Sequence, residues 1–141
     1  MKIKNRIFVV GASLMMVFGT ISTVAAASVV SGTSYQRVTH TNIPGNGGIR
    51  FNMNYGSKKA TTFQFATVKK IKADAWLGNF ACLVDSSKDL MSEEVGISSS
   101  AKHFAEMNAK KGTTYFLAMC SSSLEPSNSC DTTVDFSADS L

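Results

Sequence analysis

A small antiparallel β-sandwich is the fold class this sequence predicts, and three observations carry it. Over residues 49–55 apolar and polar side chains alternate with a period of two: Ile49, Phe51, Met53 and Tyr55 against Arg50, Asn52 and Asn54. That period puts the two sets on opposite faces of a strand. Turn-forming clusters then recur about every ten residues, the spacing of a sandwich built from short strands. Neither an internal repeat nor an alternation of strands with long helical stretches is visible, so a parallel βαβ arrangement is not expected. A sheet that is apolar on one face must cover that face with a second layer, and about five to seven strands are expected to do so.

The first segment is set aside from the fold. Lys2, Lys4 and Arg6 precede an apolar run over residues 7–21, and Ala25, Ala26 and Ala27 close it with small side chains. This is the order of a secretory signal peptide, with cleavage expected between Ala27 and Ser28. An apolar run of about 15 residues is shorter than the ~20 that span a bilayer, which favours cleavage over anchoring. The mature protein is therefore expected to be extracellular and not an integral membrane protein. Three of the fourteen basic residues leave with the signal, so eleven remain against ten acidic ones. Near-neutral charge removes the reason to expect nucleic acid as a partner.

The remaining charge is segregated. Residues 28–72 hold Arg37, Arg50, Lys58, Lys59, Lys69, Lys70 and Lys72 and no acid, whereas residues 112–141 hold Glu125, Asp131, Asp135 and Asp139 and no base. Either the two ends pack side by side and neutralise each other, or a basic face meets an anionic cell-surface polymer or a protein.

In chain order, residues 28–48 read as an irregular lead-in or an edge strand, since Asn42, Pro44, Gly45, Asn46, Gly47 and Gly48 break regular structure. Residues 49–141 are the expected sandwich domain. Residues 49–55 and 61–68, joined by the turn at 56–59, read as an antiparallel hairpin. Residues 75–84 are apolar on both parities, with Trp76, Phe80, Cys82 and Val84 on one, which reads as a buried central strand with a bulge at Gly78. A short strand passes through Val95 and Ile97. For residues 100–111 the reading is a short helix, N-capped by Ser100 and closed by Lys110, Lys111 and Gly112. The rival is a strand around residues 103–107. Residues 113–120 and 132–136 complete the domain as a second hairpin.

Three cysteines in an exported chain leave one unpaired. The expected disulfide joins Cys120 to Cys130 across that second hairpin and leaves Cys82 as a small buried hydrophobe; the alternative pairs Cys82 with one of the other two across the sheets. Cys82 is also the weak candidate for a nucleophile, with His40 or His103 as base, although no glycine-flanked elbow or neighbouring histidine marks it. Asp131, Asp135 and Asp139 recur every four residues, a spacing too long on a strand to converge on one ion, so no metal and no cofactor is expected. Glu93 and Glu94 point apart and read as a solvated turn. Tyr55 and Tyr115, at strand ends, are candidates for stacking on a sugar, and Lys58, Lys59, Lys69 and Lys70 for contact with an anionic polymer. The function these features suggest is a secreted, non-enzymatic binding module for a cell surface, wall polymer or protein partner. A bacteriocin-like toxin and a small hydrolase using Cys82 are the alternatives.

Overall fold

The computed structural model describes residues 26–126 and 128–141, so the expected signal peptide, apart from Ala26 and Ala27, lies outside the described residues. The described chain is all β, with nine strands in two sheets and no helix. They are β1 (Ser28–Ser31), β2 (Gln36–Ile43), β3 (Ile49–Lys58), β4 (Phe65–Ala73), β5 (Asn79–Val84), β6 (Val95–Gly96), β7 (Lys102–Ala105), β8 (Thr114–Ser121) and β9 (Cys130–Ser137). One sheet has the order β1-β3-β8-β5-β6 and the other the order β2-β9-β4-β7. Every pairing is antiparallel except β1 with β3.

Alternation along β8 builds both faces of the larger sheet. Tyr115, Leu117 and Met119 enter the main core, where they meet Val38, Val68, Phe104, Val134 and Phe136 from the other sheet. Each such side chain removed from water contributes about 1.5–3 kcal/mol. The opposite parity of β8, Phe116 and Ala118, joins Cys82 and Val84 in a smaller cluster on the outer face of the same sheet, with Phe51 and Met53 packed on it. Lys88, from the turn after β5, lies 5.4 Å above the Phe51 ring and helps to close this outer cluster.

Several local expectations are corrected. β3 and β4 are not a hairpin, because they lie in different sheets, and the chain crosses the sandwich between them. The alternation over residues 49–55 is real, but its apolar set faces outward: Phe51 stands opposite Ala118 and Asn52 opposite Leu117. The second hairpin fails in the same way, since β8 and β9 belong to opposite sheets. Trp76 and Leu77 precede β5 and are exposed, at 79% and 46%, rather than buried in a central strand; β5 begins only at Asn79, after Gly78 turns with φ +96°. Residues 100–111 form no helix. Burial of Phe104 against the core and the pairing of β7 with β4 outweigh helix propensity, and Asn108 at φ 58° ends any regular run.

Residues 28–48 are fully part of the sandwich. β2 is an edge strand of the smaller sheet, burying Val38, His40 and Ile43. The charge segregation resolves within that sheet. Asp135 on β9 stands opposite Arg37 of β2 on one side and Lys69 of β4 on the other. The Arg37 guanidinium donates to both Asp135 oxygens, at 2.7 and 2.8 Å. The basic and acidic halves of the chain are neighbours in the fold.

Candidate functional site

Three loops meet at one end of the sandwich: residues 44–48 between β2 and β3, residues 74–78 between β4 and β5, and residues 122–129 between β8 and β9, of which Ser127 is outside the described residues. Glu125 joins them. Its buried carboxylate accepts the backbone amides of Trp76 at 2.8 Å and Leu77 at 2.7 Å. Its carbonyl accepts the Asn46 amide at 3.0 Å. The Ser121 hydroxyl donates to the Pro44 carbonyl at 2.6 Å, and the Asp131 amide donates to Asp74 Oδ1 at 2.5 Å. Gly45 sits so close to the third loop that a β-carbon there would lie 1.7 Å from the Pro126 carbonyl oxygen. Polar groups at the loop ends are thus used to lock the loops together.

Out of this locked base project Trp76 and Leu124, each 79% exposed, beside the half-exposed Leu77. A large aromatic and two leucines thus stand exposed on two loops that Glu125 joins, an apolar tip of the kind that marks an interaction surface more often than scattered exposure does.

Comparison with protein-family models gives no match, and none of the curated proteins compared matches the chain.

The residues singled out in the sequence are dispersed. Cys82 lies in the outer cluster of the larger sheet, where burial first, and then the charge of Glu94, push its thiol up to about 11. His40 lies on the other side of that sheet. Its Nε2–H donates to the Leu117 carbonyl at 2.8 Å while Nδ1 has no partner among the described residues, and burial lowers its pKa to about 4. A carbonyl can only accept, so the neutral Nε2–H tautomer is the one that fits. His103 is on β7, within reach of the Thr67 and Ser140 hydroxyls at 3.1 and 3.2 Å. The structure does not bring Cys82 together with either histidine.

The disulfide between Cys120 and Cys130 is absent, and all three cysteines are free and buried. Cys120 shares the outward parity of Phe116 and Ala118, whereas Cys130 packs in the main core between the sheets. Opposite faces forbid the bond geometry. Among the described residues no group of histidine, cysteine and acidic side chains could hold a metal ion. The three C-terminal aspartates have separate partners: Asp131 accepts the Asn42 amide, Asp135 pairs with Arg37, and Asp139 receives the amides of Ala60 and Thr61. Glu93 accepts the Ala105 amide at 2.9 Å. Tyr115 is buried, with its hydroxyl accepting the Lys110 amide, while Tyr55 is 39% exposed. Lys58, Lys69 and Lys70 remain at the surface or part-buried, but Lys59 is fully buried.

Two features escaped the sequence. Trp76 reads as core because apolar residues surround it in the chain, and nothing local discloses that Glu125, far along the sequence, captures its amide. The surroundings of Lys59 depend on residues of three separated segments.

Proposed function

We propose that the mature protein is a secreted, non-enzymatic β-sandwich module that binds a protein partner at a cell surface through Trp76, Leu77 and Leu124. The observation that carries this reading is the apolar tip fixed by Glu125. Trp is among the residues that dominate binding energy at interfaces, and a loop whose backbone is already hydrogen-bonded in place loses less entropy on association. The leucines beside it suit an apolar protein surface better than a sugar ring. Export is supported by the basic, apolar and small-residue order of residues 1–27, and the first strand starts at Ser28. Asp135, between Arg37 and Lys69, takes up part of the basic charge, which weakens the case for an anionic wall polymer. Cys82, buried and with its thiol pushed up, lends no support to a hydrolase.

The test is co-sedimentation of the purified protein with cell envelopes, native or protease-treated. Retention on native envelopes, insensitive to salt and weakened about 10-fold or more by the double substitution Trp76→Ala, Leu124→Ala, is expected. Retention unchanged by that substitution refutes the reading, and retention surviving protease treatment moves the partner to a wall polymer.

The same tip favours one second reading. Exposed Trp and Leu also suit the interface of a bilayer, as a bacteriocin-like toxin would require. Leakage of dye from lipid vesicles, lost on Trp76→Ala, would establish that reading in place of the first.

A further inference from the structure

Burial of an ammonium group is costly, and Lys59 is buried to 1% exposure just beyond the end of β3. Its Nζ lies 2.5 Å from Glu106 Oε2 and 3.5 Å from Asp139 Oδ1, and donates to the Ala138 carbonyl at 2.7 Å. Glu106 follows β7 and Asp139 follows β9, so the three side chains converge from three segments, each withdrawn from solvent. Glu106 Oε1 has no hydrogen-bond partner among the described residues. Asp139 is held from several sides: the Ala60 amide donates to Oδ2 at 2.7 Å, and the Thr61 amide and hydroxyl both donate to Oδ1. Gly32 closes the remaining side, where a β-carbon would lie 1.9 Å from Oδ2.

We propose that Lys59 and Asp139 condense to a side-chain amide, with Glu106 as the proton carrier. In the reaction the Lys59 ammonium passes a proton to the Glu106 carboxylate, which frees the nitrogen lone pair. Nζ forms a bond to Asp139 Cγ, and one Cγ–O bond breaks. The departing oxygen takes the proton returned by Glu106 and a second proton from the same nitrogen, and leaves as water. The sum is ammonium plus carboxylate giving amide plus water, and Glu106 ends as it began. No oxidant, metal or cofactor enters.

Three features favour this over a resting ion pair. The amine and the carboxyl are fixed near contact, and such proximity can replace an effective concentration on the order of 10⁵ M or more. The amides of Ala60 and Thr61 point at the carboxyl oxygens, where they would hold negative charge developing on the tetrahedral intermediate. Water is excluded, which favours condensation and protects the product from hydrolysis. Burial raises the Glu106 pKa against the opposing effect of Lys59, as a group that takes up and returns a proton requires. Burial pushes the Asp139 carboxyl up, but the hydrogen bonds of Thr61 and Ala60 and the charge of Lys59 outweigh it, so it begins as the carboxylate that the sum above contains. The bond would tie the end of β3 in one sheet to the end of β9 in the other, a cross-link in an exported chain whose cysteines are all free.

Trypsin mapping of the denatured, purified full chain tests the proposal. A lysine whose Nζ is in an amide is not cleaved, and no basic residue follows Lys111. The expected product is peptide 59–69 joined to peptide 112–141, lighter by one water than the two together, with fragmentation placing the link at Lys59 and Asp139. The near-isosteric Glu106→Gln should yield the two segments unlinked. Separate linear peptides from folded wild-type protein overturn the proposal, as does a link from Lys59 to Glu106, or a complete link in folded Glu106→Gln. If Glu106→Gln does not fold, the wild-type map alone decides.

Discussion

Glu125 and Trp76 lie in different loops, yet the Glu125 carboxylate accepts the Trp76 amide at 2.8 Å and the neighbouring Leu77 amide at 2.7 Å. Two donors converge on one buried carboxylate, so removing it leaves both unpaired. Glu125→Ala is expected to lower stability by about 1–3 kcal/mol, read as a shifted urea midpoint. It should also weaken partner binding although Trp76 is still present, because the tip is no longer held. Glu125→Gln keeps an acceptor oxygen and should fall between the two. Unchanged stability and binding in Glu125→Ala would refute its role as the joint of the three loops.

Gly45 makes the same point without charge. A β-carbon at this position would stand 1.7 Å from the backbone oxygen of Pro126, and backbone cannot swing aside as a side chain can. Gly45→Ala should therefore cost about 1–3 kcal/mol and loosen the tip. Gly96 is the control, since the nearest atom to an added β-carbon there is 3.7 Å away on Phe80. Thermal unfolding should separate the two variants clearly, with Gly96→Ala close to wild type.

His40 predicts a pH dependence. Its folded pKa is lowered from 6.5 to about 4, first by burial. Below pH 6.5 the unfolded chain binds a proton that the folded chain refuses, so stability falls as pH drops from 6.5 toward 4. The loss is complete near pH 4 and amounts to about 3 kcal/mol from the size of the shift. Urea unfolding at pH 7 and pH 4.5 should show it. His40→Gln, which lacks a titrating ring, should be less stable at pH 7 but lose less between the two pH values; an equal loss in both proteins would assign the dependence elsewhere.

Period and turn spacing made the two-sheet architecture legible, because both are local consequences of strand geometry. What they could not disclose is which strands pair. Residues 49–58 and 65–73 look like a hairpin because they are adjacent in sequence, but β3 is paired with β8 and β4 with β9. The alternation of Phe51 and Met53 marked a face without saying that it is the outer one. At residues 100–111 propensity for helix was outweighed by the burial of Phe104, a tertiary effect. The tip and the Lys59 cluster share that origin: Glu125 finds Trp76, and Asp139 finds Lys59, only after the strands have been arranged.

Thiol reactivity separates a structural from a catalytic role for Cys82. Cys82 and Cys120 both belong to the larger sheet, and burial together with the charge of Glu94 pushes their thiols up to about 11 and about 12. Burial also raises Cys130, against a hydrogen bond from Asn79 that lowers it. With its thiol pushed up to about 11, Cys82 stays protonated at pH 8, and the thiolate is the reactive form. Native protein should therefore show almost no reaction with a thiol reagent, and three equivalents should appear at once in denaturant without reductant. Cys82→Ala should cost about 1 kcal/mol, the scale of a small cavity, and leave envelope binding intact. Rapid labelling of Cys82 in the folded state, or loss of function in Cys82→Ala at unchanged stability, would give that residue a chemical role; one thiol instead of three in denaturant would mean that two of them had formed a disulfide.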